Sequence, residues 1–163
     1  MWDKGRTKPT MPNTVDPVVS LLIIDDDLGS LELFSNALAQ PGLEILTASD
    51  PEEGLDIACS RHPQIVLTDL VMPHLSGLDV LERIMEVDPV TEVILMTAQY
   101  SSDTAVEAIQ KGASDYLNKP VSIPLLRSRV ERLLVDARKR QRSLHLEDEL
   151  RANSEFEGII GRS

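Results

Sequence analysis

The chain has 163 residues, enough for one globular domain and an appendage. Hydrophobic residues make up 42% and aromatic residues only 3%, so the core must be built mainly from Leu, Ile, Val and Ala. The net charge of -11 argues against a nucleic-acid-binding surface, which would be strongly basic. A single cysteine, Cys59, excludes an internal disulfide and favours a reducing, cytoplasmic compartment. No apolar run approaches the roughly 18 residues of a membrane span.

Short apolar runs alternate with amphipathic stretches from Val18 onward. Residues 1–17 are rich in Pro and Thr and lack an apolar signal core, so we interpret them as a disordered leader. The runs contain little polar alternation, which is typical of parallel strands that are covered on both faces. They predict five strands, at 18–24, 43–47, 65–68, 93–97 and 115–117.

The stretches between the strands carry signals that begin and end helices. Asp50 and Pro51 suit an N-cap and a first helical residue. Ser76 or the residue after it opens the next helix, and Ser101 or the residue after it caps the fourth. A further helix begins near Ser122 and contains no early stop signal. Five strands alternating with five helices predict an α/β, doubly wound domain with one parallel sheet.

Charged and hydroxyl side chains follow the predicted strands where each strand ends. The first strand ends in three aspartates at 25–27, the third in Asp69 and the fourth in Thr97, and Lys119 follows the fifth. The carboxyl ends of parallel strands meet at one edge, so these side chains share a pocket. Clustered carboxylates repel one another unless a cation intervenes, and hard oxygen ligands suit Mg²⁺. With a hydroxyl and a lysine nearby, Asp69 is equipped to take a phosphoryl group as an aspartyl phosphate.

Four motifs, in order and at their spacing, resemble the response-regulator receiver domain of two-component signalling. They are LLIIDDDLGSL, IVLTDLVMPHLSGLDVL, VILMTAQ and GASDYLNKPV, and the resembling domain spans residues 18–135. The resemblance implies a flavodoxin-like sheet of strand order 2-1-3-4-5 with five helices. It also implies that a sensor histidine kinase supplies the phosphoryl group.

The resemblance implies a role for each acidic residue of the pocket. Asp69 resembles the residue that accepts the phosphoryl group. Asp25 and Asp26 resemble the acidic pair that holds Mg²⁺, and the main-chain carbonyl of Val71 would be a further metal ligand.

It also implies which residues respond to the phosphoryl group. Thr97 resembles the switch hydroxyl that binds the group, assisted by the Ala98 amide. Lys119 resembles the lysine that pairs with a phosphoryl oxygen, and its bond to Pro120 is expected to be cis. Tyr116 resembles the switch aromatic, which turns inward when Thr97 moves toward the group.

The last helix is long enough to leave the domain. An alternating spacing of four and three predicts a short coiled-coil seam, whose residues are Leu126, Val130, Leu133, Ala137 and Leu144. The first half of this seam is expected to pack on its own domain. Residues 136–153 are then a helical coiled-coil linker, and a second copy of the chain is the simplest partner for them.

Residues 154–163 carry a second resemblance. It is to the start of the AAA+ ATPase domain in nitrogen-regulatory-type activators, which work with sigma-54 RNA polymerase on DNA, and it rests on Phe156, Ile159, Ile160, Gly161 and Ser163. No phosphate-binding G-x-x-x-x-G-K-[ST] loop is present, so we expect no ATPase activity from these residues. The resemblance implies a truncated activator in which the receiver controls an ATPase and so transcription.

Other interpretations remain open. The receiver could control a different output, such as a DNA-binding or cyclase domain, or the fold could be a phosphorylation-independent dimerisation module. A magnesium-dependent phosphatase of the haloacid-dehalogenase type would also use a strand-end aspartate. That class needs a second carboxylate two residues later, where this chain has Val71. Cys59, on a predicted helix in an apolar setting, is expected to be a small core residue.

Overall fold

The structure is a computed structural model that describes residues 18–161, with side chains as far as Ala152. The predicted leader, residues 1–17, lies outside the described residues, as does Ser163. The strands are β1 (Val19–Ile24), β2 (Leu43–Ala48), β3 (Ile65–Asp69), β4 (Glu92–Thr97) and β5 (Asp115–Asn118). The helices are α1 (Leu28–Leu38), α2 (Pro51–Arg61), α3 (Gly77–Val87), α4 (Ser102–Gln110) and α5 (Ile123–Gly161).

The strands form one sheet of order β2-β1-β3-β4-β5, and every adjacent pair is parallel. This confirms the predicted fold class. The strand order reverses between β1 and β3, so a crevice opens at the carboxyl ends of these two strands. The register pairs Asp69 with Met96 and Thr97 with Asn118, which places the ends of β3, β4 and β5 along the same edge.

Helices cover both faces of the sheet, which explains why the strands are apolar on both sides. On one face, alternate residues such as Leu22, Val66 and Leu95 pack against α2, α3 and α4. On the other face, neighbours such as Ile23 and Leu67 pack against α1 and α5. Burying each such side chain contributes roughly 1.5–3 kcal/mol, so the central strands form a rigid base for the residues at their ends.

The helices begin and end at the signals read from the sequence. Asp50 accepts a hydrogen bond at the start of α2, and Ser76 forms a reciprocal capping box with Asp79 at the start of α3. Ser101 caps α4. At the end of α2, His62 takes the left-handed conformation with a φ of 49° and donates its backbone N–H to the Ala58 carbonyl.

The inner face of α5 differs from the predicted seam. Leu126 and Val130 are buried on the chain's own sheet, as expected for the first half of the seam, and Ala137 is buried there as well. Leu134, which the predicted repeat skips, is fully buried as well, and Leu133 only partly. A straight helix lying on a sheet follows the 3.6-residue period, whereas the predicted seam assumed the 3.5-residue period of a supercoil. The helix also continues to Gly161, beyond the end expected for the linker.

The prediction that Cys59 is a core residue is wrong. Its side chain is exposed on α2, because the buried face of that helix is filled by Leu55 and Ala58. Within residues 18–161, no helix combines the length and the apolar character needed to cross a membrane.

Candidate functional site

Asp69 is the last residue of β3, and the chain that follows it folds back tightly. The Leu70 N–H donates to the Met96 carbonyl at 2.7 Å, and the Gly77 N–H donates to the Leu70 carbonyl at 2.7 Å. A Cβ on Gly77 would lie 2.5 Å from the Asp69 carbonyl oxygen and 2.9 Å from the Leu70 Cα. Only glycine fits at this approach, and the loop thereby holds Asp69, whose side chain is 13% exposed, at the sheet edge.

Three carboxylates converge beside this strand end. One oxygen from each of Asp25, Asp26 and Asp69 lies within 4.8 Å of the others. Asp25 is fully buried, and the Asp27 backbone N–H donates to its Oδ1 at 3.0 Å. Asp27 is itself the N-cap of α1 and accepts from the Gly29 N–H at 3.3 Å. The start of α1 therefore orients the buried carboxylate.

Lys119 joins two of these carboxylates. Its Nζ donates to Asp25 Oδ2 at 2.9 Å and to Asp69 Oδ2 at 3.3 Å. The Lys119 backbone N–H donates to the Thr97 carbonyl at 2.7 Å, which extends the pairing of β4 with β5. The bond to Pro120 is cis, as expected. The lysine is thus held from its backbone, and only its ammonium group reaches into the pocket.

The burial of these groups perturbs their protonation. Burial raises the pKa of Asp69, although the positive charge of Lys119 acts in the opposite direction. Burial alone would lower the pKa of Lys119, but the hydrogen bond to Asp25 and the negative charges of Asp25 and Asp69 outweigh it, so this pKa is raised. A charged lysine is therefore the stable partner of the carboxylates in this pocket.

Thr97 ends β4 and its side chain is buried. Its Oγ1 accepts a hydrogen bond from the Gln99 N–H at 2.9 Å, and Ala98 between them is exposed. Tyr116 lies on β5 and is only 9% exposed. Its ring packs edge-on against Tyr100, with ring centroids 5.2 Å apart and an interplanar angle of 70°.

The structure brings the sequence-predicted acids and the lysine into one pocket, with Thr97 at the same strand edge. Val71 differs from these residues, because its side chain is apolar and 54% exposed. Only its backbone carbonyl could contribute to the pocket. Sequence reasoning missed Tyr100. The sequence signal that points to it is an aromatic side chain three residues after a predicted strand end, in a chain with only two tyrosines and two phenylalanines.

The chemistry of the donor set fits a hard divalent cation. Carboxylate oxygens with open positions beside them suit Mg²⁺, which retains waters and engages phosphate oxygens. The three clustered carboxylates face one lysine, so added positive charge would be stabilised there. Position 71 is Val, so the second carboxylate that a haloacid-dehalogenase phosphatase needs two residues after the acceptor is not there.

Comparisons with known proteins agree with this geometry. The family model for the response regulator receiver domain matches residues 21–131. The DNA-binding transcriptional regulator NtrC of Escherichia coli K12 is 35% identical over 141 residues, which cover 86% of this chain and 29% of that protein. The regulatory protein AtoC of the same organism is 33% identical over 143 residues, which cover 88% of this chain and 31% of AtoC. The chain thus spans about a third of the length of these relatives.

A solved structure has a similar fold. The crystal structure of a response regulator receiver domain protein from Clostridium thermocellum is similar, with a TM-score of 0.68 and 35% identity. The match covers 78% of this chain and 99% of that one. Because the family match extends over most of the chain and the strand order was established independently, we conclude that the chain belongs to the response regulator receiver domains of two-component signalling.

Proposed function

We propose that this receiver is a phospho-accepting switch in which Asp69 takes a phosphoryl group from a phosphohistidine of a sensor histidine kinase. The observation that carries the proposal is the contact of one ammonium group, Lys119 Nζ, with both Asp25 and Asp69 inside a carboxylate cluster. Such an arrangement supports a nucleophilic carboxylate and offsets the charge of an incoming phosphoryl group.

The transfer step joins the Asp69 carboxylate to the phosphoryl group of the donor. An oxygen of Asp69 bonds to phosphorus as the phosphorus–nitrogen bond of the donor phosphohistidine breaks, and the released imidazole takes up a proton. Lys119 moves from the Asp69 oxygen to a phosphoryl oxygen while keeping Asp25 as its second partner. The exposed side of the pocket, at Asp26, leaves room for the donor.

Mg²⁺ would be held by the carboxylates of Asp25, Asp26 and Asp69 and by the Val71 carbonyl. When bound, it supplies positive charge that stabilises the phosphoryl oxygens during transfer. Because burial raises the pKa of Asp69, these residues by themselves leave the acceptor less readily ionised than an ordinary carboxyl. The protein must also hold the carboxylate oxygens in place, and the Asp27 N–H does so for Asp25 Oδ1.

The readout of the phosphoryl group would pass through Thr97. Its oxygen accepts from Gln99, so its hydroxyl hydrogen is available to a phosphoryl oxygen, and the Ala98 N–H would contribute a second hydrogen bond. Movement of Thr97 would then favour the buried position of Tyr116. The phosphoryl group thus shifts an existing equilibrium between two conformations.

The output of the longer protein belongs to the same proposal. We expect residues 18–135 to be the receiver, 136–153 a linker and 154–163 the start of an AAA+ domain that activates sigma-54 RNA polymerase on DNA in the cytoplasm. Dimers would form through α5 and the linker, and this fragment itself would not bind nucleic acid. The similarity to NtrC, a DNA-binding transcriptional regulator, supports this over a different output domain or a phosphorylation-independent dimerisation module.

The acceptor is tested with radiolabelled acetyl phosphate. The full chain should take up label only with Mg²⁺, and Asp69→Asn should abolish the uptake because the amide is a far weaker nucleophile. Asp56→Asn, which changes an exposed carboxylate on α2, is the matched control and should retain it. Label on Asp69→Asn equal to that on the wild type would refute the assignment.

A further inference from the structure

Tyr100 contacts the residue that the proposed function makes the switch aromatic, although no motif accounts for it. We propose that Tyr100 is a positioning residue that holds the Tyr116 ring in its buried rotamer and so strengthens binding of a phosphoryl group at Asp69. The inference rests on the proposed function and adds a residue to it. Tyr100 acts through Tyr116 and would not itself touch the phosphoryl group.

The first observation is the packing of the two rings. The Tyr100 ring meets Tyr116 edge-on at 5.2 Å, the arrangement that aromatic pairs prefer. Tyr116 is 9% exposed, whereas Tyr100 is 52% exposed. The Tyr116 ring is therefore part of the core, and the Tyr100 ring lies over it at the surface.

The second observation is the balance of forces on the inner ring. Within the described part of the chain, the buried Tyr116 hydroxyl makes no hydrogen bond of ordinary geometry, and burial raises its pKa more than the nearby Ser101 backbone and Thr104 side chain lower it. A buried hydroxyl without a partner disfavours the conformation that buries it. Packing against Tyr100 favours the conformation that buries Tyr116. The Tyr100 ring therefore offsets part of the free-energy cost of burying the Tyr116 hydroxyl and raises the population of the buried rotamer.

The third observation is the position of Tyr100 between the pocket and α4. Its neighbour Gln99 donates its N–H to Thr97 Oγ1 at 2.9 Å, and its other neighbour, Ser101, is the N-cap of α4. A shift of the Thr97 hydroxyl toward a phosphoryl oxygen would therefore change its hydrogen bond with Gln99 and displace the backbone segment that carries Tyr100. In α4, Ala108 is the buried residue and Ala105 is partly buried against the core, so the N-terminal turn is less firmly packed than the end of the helix.

The consequence is a measurable change in affinity. A phosphoryl mimic binds to the fraction of molecules that already have the competent conformation, and its apparent dissociation constant rises as that fraction falls. Removing an edge-on aromatic pair should weaken binding roughly two- to tenfold. A phenyl ring at position 100 preserves the packing and should preserve the affinity.

The experiment uses the full chain labelled with 3-fluorotyrosine. The chain has two tyrosines, so both Tyr100→Ala and Tyr100→Phe leave a single fluorine signal, from Tyr116. Each protein is titrated with beryllium fluoride at saturating Mg²⁺ and followed by fluorine NMR. We expect Tyr100→Ala to bind the mimic two- to tenfold more weakly and to move the free-state signal toward that of an exposed tyrosine. Tyr100→Phe should match the wild type in affinity, and thermal melting should show both variants folded.

The outcomes separate the inference from the function on which it rests. Equal or tighter binding by Tyr100→Ala, or a loss in Tyr100→Phe as large as that in Tyr100→Ala, would overturn the role of Tyr100 alone. Failure of the wild type to bind the mimic, or unchanged binding by Asp69→Asn, would overturn the proposed function itself.

Discussion

Lys119 is the residue on which the balance of charge in the pocket depends. It pairs at 2.9 Å with a fully buried carboxylate, Asp25, and its own side chain is only 18% exposed. Removal of one member of a buried ion pair leaves an uncompensated charge, which destabilises a protein more than the intact pair stabilises it. The same lysine would contact the phosphoryl group, so its structural and chemical roles are coupled.

We therefore expect Lys119→Met to lower the free energy of unfolding by about 3–5 kcal/mol when Mg²⁺ is absent. Mg²⁺ should restore part of that loss, because a cation among the carboxylates replaces the missing charge. Urea denaturation with and without Mg²⁺ measures both effects. Lys139→Met, which removes an exposed lysine on α5, should leave the midpoint unchanged in either condition. A midpoint of Lys119→Met equal to that of the wild type without Mg²⁺ would contradict the argument.

The sequence predicted which charged side chains lie together at the sheet edge, although their roles stay a prediction. Asp25, Asp69 and Thr97 could be placed together because parallel strands bring their carboxyl ends to one edge, whatever the details of packing. Tyr100 could not be placed, because its contact depends on the path of an irregular segment after β4. No periodic pattern encodes such a path.

The connection between β3 and α3 links the start of a helix to the backbone of Asp69. Gly77 begins α3 and also touches the backbone of Asp69. Its neighbours at 2.5 and 2.9 Å are main-chain atoms, which cannot rotate away as a side chain could. The start of α3 and the Asp69 backbone must therefore move together.

Gly77→Ala should destabilise the domain by about 1–3 kcal/mol, the usual range for forced overpacking, and should slow phosphorylation of Asp69 by acetyl phosphate. Gly29→Ala is the matched control in the first turn of α1, since its Cβ would meet only the Asp27 carboxylate oxygens, 3.6 Å away or more. Thermal melting and the labelling rate test the pair. Equal melting temperatures for the two variants would show that the loop yields without cost.

The period of the apolar residues on α5 is where the sequence pattern misleads. The predicted seam places Leu133 inward after Val130, but Leu134 is fully buried in the domain's own core and Leu133 only partly. A stripe of apolar residues on a helix looks alike in sequence whether a sheet or a second helix covers it. Leu134 distinguishes the two cases, and its burial becomes visible only when the sheet is in place.

At the scale of the whole molecule, α5 carries apolar side chains that its own domain does not cover. Leu144, Leu146 and Leu150 are 59%, 56% and 67% exposed, and all three follow Ala137, the last fully buried residue of α5 among those up to Ala152 whose side chains are described. Exposed leucines on a helix beyond its domain are typical of a surface that another chain covers. The core therefore accounts for the first half of α5, and the proposed dimer would account for the exposed leucines of the second.

If a second copy covers these leucines, replacing all three by glutamine should raise the dimer dissociation constant at least tenfold, because each leucine loses about 1 kcal/mol or more of burial. The melting temperature of the receiver should stay constant, since the leucines lie outside the core. Sedimentation velocity over a range of concentrations, with and without beryllium fluoride and Mg²⁺, measures the constant. Val87→Gln, which changes an exposed apolar residue on α3, should leave it unaltered. An unchanged dimer in the triple variant would assign the interface elsewhere. A loss confined to the fluoride-bound state would mean that phosphorylation is what brings the helices together.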